Sequence, residues 1–137
     1  AARELAHQIK IISVMPSPLM MALATRWIID GTADGIRRFV REETLARQAI
    51  ASQALNGFRF ESTPHAFNVW LHLPEGITRA EMIGRMAGTG VGIMPSDAFT
   101  VSGNPAEAIR VCLGGQIQRS QLRDAMGLLA YIMSSSD

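Results

Sequence analysis

His65-Ala-Phe-Asn-Val-Trp-Leu-His-Leu-Pro74 is the stretch at which the chain changes its period. Phe67, Val69, Leu71 and Leu73 alternate there with Ala66, Asn68, Trp70 and His72. That two-residue repeat is the mark of a strand with one fully apolar face. Pro74-Glu75-Gly76 closes it. Further on, Gly90 to Met94 reads as a short strand, Pro95-Ser96-Asp97 as a turn, and Ala108 to Leu113 as a third strand that Gly114-Gly115 breaks. Between the first two strands, Thr78-Arg79-Ala80-Glu81 has the capping-box pattern, in which two side chains satisfy free backbone donors. It predicts a helix to about Ala87 that stops at Gly88. Ser120 is expected to cap a last helix, with Leu122, Met126, Leu129 and Ile132/Met133 on its inner face.

Upstream the period is helical. Arg3 to Ile12 predicts a short helix, and Pro16-Ser17-Pro18 resets the backbone. A second helix should run from Pro18 to about Asp30, with Leu19, Met20, Leu23, Trp27 and Ile28 on one stripe and Gly31 as its stop. Thr32 or Asp34 is expected to cap a third, running to about Leu55 before Asn56-Gly57. Charge interrupts its stripe of Ile36, Phe39, Val40, Ala46 and Ile50, so it is expected to be half-exposed.

The assembled expectation is an α+β fold. Two parallel strands joined by a helix need a crossover, and the third strand slots between them antiparallel. This makes a small three-stranded, mainly antiparallel sheet with helices packed on one face, preceded by two longer helices. Residues 1–137 read as a single domain, with a helical lead-in over 1–57 and an α/β sandwich over 58–137.

Composition narrows the function classes. The chain has 137 residues, 47% of them hydrophobic, and a formal net charge of +1, which suits one compact domain with its own core. No basic patch of the kind that neutralises phosphates is visible. A solvated face balanced by Glu42 and Glu43 is the default for Arg37, Arg38 and Arg41. Cys112 is the single cysteine, which excludes an intrachain disulfide framework and a multi-cysteine zinc site. No apolar run approaches the roughly 20 residues that span a bilayer. A cytoplasmic protein is the simplest expectation.

Several motifs fall away on physical grounds. His7, His65 and His72 lack a metal-ligand spacing, and no metal is expected. Gly88-Thr89-Gly90-Val91-Gly92 ends a helix and opens a strand, the reverse of a dinucleotide-binding loop. Ser62, Ser96, Ser102 and Ser120 lack a nucleophile elbow. The methionines (Met15, Met20, Met21, Met82, Met86 and Met94) suit core packing better than a binding surface. No catalytic residue is assigned. In its strand, Arg110 faces away from Ile109, Val111 and Leu113, and so away from the core; by itself it reads as paired with an acid, solvated or ligand-binding.

Taken in order, His65–Pro74, Gly90–Pro95, Phe99, Ile109-Arg-Val-Cys-Leu-Gly114, and a closing helix with Leu122 and Leu128-Leu129 form a pattern. It resembles the C-terminal small domain of class I/II aminotransferase-fold proteins, which bind pyridoxal phosphate (PLP). The nearest likeness is to MocR-type transcriptional regulators of the GntR family, which join a winged-helix DNA-binding domain to a PLP-binding domain. Pro18 to Gly31, with Arg37, Arg38 and Arg41, resembles the helices leading from the large domain into the small one. The resemblance covers nearly the whole chain from about Leu5, and the order of several moderate motifs carries it.

The resemblance implies a fragment of a larger chain, a reading that also suits the opening Ala1-Ala2-Arg3-Glu4-Leu5. It implies partners as well: the large PLP domain of the same chain, an amino-acid-like small molecule, and DNA only through an N-terminal domain. A homo-oligomer is expected, because the helix carrying Met20, Leu23 and Trp27 would be left uncovered. The family's Ser-x-x-Lys segment does not occur, and Lys10, the sole lysine, lies between Ile9 and Ile11 outside any such motif. No cofactor-binding residue is therefore expected here, and PLP would be held by the parent. The family places an arginine in its last small-domain strand to grip the ligand's α-carboxylate, and Arg110 occupies that position. Two alternatives stand beside the regulator: the small domain of a genuine PLP-dependent aminotransferase, and a free-standing α+β module for ligand binding or dimerisation.

Overall fold

In the computed structural model, residues 4 and 17–135 are described, and the chain divides into two compact units, Ala1–Val40 and Arg41–Asp137. The helix expected from Arg3 to Ile12 lies, but for Glu4, outside the described residues, as do His7, Lys10 and Met15.

The first unit contains α1 (Pro18–Ile29) and the start of α2 (Thr32–Ala54). Pro18 opens α1, where its missing N–H costs nothing. Gly31 ends it with φ +83°, a conformation that a side chain would strain. The acceptor at the start of α2 is Asp30, not Thr32 or Asp34: its Oδ1 receives the Thr32 N–H at 3.0 Å, and the Thr32 side chain, followed by that N–H, holds the Asp30 carboxyl below its usual range. Asp34 instead meets Arg37 at 3.0 Å. No α1 residue is buried, and Leu19 and Ile29 are 71% and 80% exposed.

The second unit is an α+β layer. Its strands are β1 (Phe60–Glu61), β2 (Asn68–His72), β3 (Ile93–Pro95) and β4 (Ala108–Cys112), ordered β1-β2-β4-β3 with every neighbouring pair antiparallel. β2 and β3 therefore run parallel, joined through α3 (Arg79–Arg85), with β4 between them. The sheet has four strands where the periodicity indicates three. β1 is two residues long and pairs only as Phe60↔Leu71 and Glu61↔Trp70, too short to display an alternation; its partner makes it a strand.

Val69, Leu71, Ile109 and Val111 are fully buried on one face of the sheet. Against them pack Ile50 and Ala51 of α2 and Leu55 just beyond it, Met82 and Met86 around α3, and the inner stripe of α4 (Arg119–Ser134). That stripe comprises Leu122, Ala125, Met126, Leu129, Ile132 and Met133, spaced three and four apart as one helical face requires. Each large side chain so buried contributes roughly 1.5–3 kcal/mol. Met82 and Met86 are core residues as expected, whereas Met20, Met21 and Met94 are exposed.

The helix ends show how local chemistry sets the elements. Thr78 Oγ1 accepts the Glu81 N–H at 3.2 Å, and Glu81 meets Arg85 at 3.3 Å. The cap of α4 lies two residues before the expected one: Gln118 is its N-cap, and its N–H donates to Gln121 Oε1 at 2.7 Å, so Ser120 already lies inside the helix.

Candidate functional site

The sheet's other face carries the chemistry. In β4 the side chains alternate, with Ile109 and Val111 buried while Arg110 and Cys112 are half-buried on the opposite side. The antiparallel register sets Trp70 of β2 on one side of Arg110 and Met94 of β3 on the other. Asn68 and His72, two residues either way along β2, share that face. His72 Nε2 stands 3.0 Å from Glu61 Oε1 on the edge strand.

Phe99 completes the arrangement from outside the sheet. It is the last residue of the 3₁₀ turn Ser96–Phe99, which follows β3 directly. The Arg110 guanidinium carbon lies 4.8 Å from the Phe99 ring centroid, a cation–π stack. Trp70 meets the same Phe99 ring edge-on, at 5.7 Å between centroids and 74° between planes.

Buried polar groups hold this turn. Ser96 is buried, its Oγ donates to Ala106 O, and Arg79 Nη1 donates to Ser96 Oγ at 3.0 Å. Thr100 Oγ1 closes the turn on Ser96 O at 2.9 Å, and Glu107 accepts the Arg79 backbone N–H at 2.8 Å. The base of α3, the 3₁₀ turn and the start of β4 are thereby tied together beside Arg110.

The electrostatics are one-sided. Arg110 makes no ion pair among the described residues, and its Nε is buried without a hydrogen-bond partner. A buried polar nitrogen left unmatched costs free energy, so a fixed guanidinium without an acid favours an incoming acceptor. Guanidinium geometry suits a carboxylate through two parallel charge-assisted bonds.

A second polar cluster lies at the far end of β4. Arg47 of α2 is buried; its Nε donates to Glu43 at 2.7 Å, its Nη1 to Leu113 O at 2.8 Å and its Nη2 to Ile117 O at 2.7 Å. Arg119 reaches the same Glu43 carboxylate at 2.6 Å. Hydrogen bonds from Arg119 and then Arg47 hold the Glu43 carboxyl down at about 2. This cluster fixes the exit of β4 three residues beyond Arg110.

Arg110 was legible as an outward-facing strand residue; the stacking of Phe99 on it was not, since Phe99 follows a turn whose direction the sequence does not specify. Arg47 was missed too, and only its spacing from Glu43, one helical turn, hinted at a pair. Among the described residues no group of three or more His, Cys, Asp or Glu side chains is placed to hold a metal ion, and no helix is long and apolar enough to cross a membrane. The described residues include no lysine, so they do not supply the covalent anchor that PLP requires. Comparison of the sequence with protein-family models and with curated proteins found no match.

Proposed function

We propose that this chain is the small domain of a larger, cytoplasmic PLP-binding regulator of the MocR type, and that Arg110 binds the carboxylate of an amino-acid ligand. The observation that carries the proposal is the Arg110 side chain: half-buried, stacked on Phe99, and without an acid of its own among the described residues. The resemblance in motif order supplies the regulator, the cofactor and the DNA-binding partner domain. PLP would be anchored by the parent's large domain, with the small domain closing over the site and excluding water.

The test is Arg110→Ala in the full-length protein. Removing a charge-assisted pair should weaken amino-acid binding at least about tenfold while PLP binding is retained. Unchanged amino-acid affinity would refute the assignment. The native gene product should also be much heavier than the 14.9 kDa of this chain; a product of that mass would favour the free-standing module. A winged helix in the upstream sequence separates the regulator from the aminotransferase alternative.

A further inference from the structure

We infer that the Arg110 site selects a monocarboxylate with an apolar, preferably aromatic, body over a dicarboxylate or a small polar acid. The inference rests on the reading of Arg110 as the carboxylate site and adds the class of ligand.

Three features of the outer face support it. Arg110 stands in a row between Trp70 and Met94, so an anion held by its guanidinium meets apolar side chains on either side. Phe99 is 44% and Met94 41% exposed, so ring and thioether surface remain open beside the cation. The residues that share this face of β2 and β4 with Arg110 include no second arginine or lysine: they are Asn68, Trp70, His72, Ala108 and Cys112, and His72 already faces Glu61. A dicarboxylate would bring a second charge to a surface of aromatic and thioether groups, where a charge without a partner is expensive. A flat apolar body would instead lie against Phe99 and Trp70, whose edge-to-face pairing leaves ring surface for a third partner.

The experiment is a calorimetric titration of the full-length protein, the form in which the proposed site is complete. The probes are phenylacetate, acetate, succinate and the uncharged phenylacetamide. Phenylacetate should bind about five- to tenfold more tightly than acetate or succinate, and phenylacetamide should lose that affinity. Phe99→Leu keeps apolar bulk but removes the ring, and should narrow the preference for phenylacetate about two- to fivefold. Arg110→Gln should abolish binding of every carboxylate.

Equal affinity for acetate and phenylacetate, both lost in Arg110→Gln, would overturn the ligand class and leave Arg110 as a carboxylate site. Tighter binding of succinate would do the same. Carboxylate binding that survives Arg110→Gln would overturn the underlying reading, and with it the inference. Failure of phenylacetate to bind even well above the millimolar range would overturn the inference for this chain.

Discussion

Replacing Arg47 by alanine should destabilise the second unit more than any other single surface-to-core polar change, because three strong hydrogen bonds converge on one buried guanidinium. Its Nε reaches Glu43 at 2.7 Å, its Nη1 Leu113 O at 2.8 Å and its Nη2 Ile117 O at 2.7 Å. Removing one partner of such a buried network costs roughly 3–5 kcal/mol, chiefly because the groups left behind lose their bonds without regaining water. Glu43 keeps Arg119 at 2.6 Å, which places the expected loss at the lower end, about 3 kcal/mol. With a urea dependence of about 2 kcal/mol per molar, the unfolding midpoint should fall by roughly 1.5 M. Arg47→Lys should fall between the two proteins, since one ammonium cannot span both carbonyls and the carboxylate as a fork does. The assay is urea unfolding followed by far-UV circular dichroism. A midpoint shift in Arg47→Ala below about 0.5 M would refute the reasoning, since Arg47 would then be an ornament on a loop that packs without it.

Three further outcomes follow from other parts of the molecule. The Glu43 carboxyl is held at about 2, below its usual value of 4.5, so its contribution is present above pH 4.5 and is lost as the pH falls towards 2. Glu43→Gln should therefore flatten the pH dependence of stability across that window, and an unchanged acid limb would count against the pairing. Gly90 has φ +77°, and a Cβ there would stand 2.9 Å from Ile117 Cγ2, whereas at Gly88, with φ +83°, it would meet open space. Gly88→Ala should cost about 1 kcal/mol and Gly90→Ala clearly more, read as midpoint shifts; equal shifts would show that Ile117 yields without penalty. The apolar surface of α1, with Leu19, Ile28 and Ile29 all more than 70% exposed, should drive self-association of the chain, and a monodisperse monomer by light scattering at high concentration would contradict this.

By itself the sequence determined the elements whose period is strong and local. The alternation through Val69 and Leu71 sets which face of β2 is buried, because slipping it by one residue would turn both side chains out to water. The stripe from Leu122 to Met133 does the same for α4, and the strand–helix–strand–strand order leaves β4 to lie between β2 and β3, as it does. The outward aim of Arg110 follows from that alternation too.

Tertiary structure alone decided the rest. The buried face of α2 runs through Thr44, Arg47, Gln48, Ile50 and Ala51, three of them polar, so of the apolar stripe Ile36, Phe39, Val40, Ala46 and Ile50 only Ile50 is buried, while Ile36 and Phe39 are exposed. Those polar groups go inside because distant backbone needs them: Arg47 serves Leu113 and Ile117, and Gln48 donates to Ala66 O at 2.7 Å. β1 exists only because β2 offers it an edge. The site likewise depends on contacts between residues far apart in the chain. Trp70, Phe99 and Arg110 come from a strand, a turn and another strand, and no local propensity encodes the stacking that fixes the guanidinium.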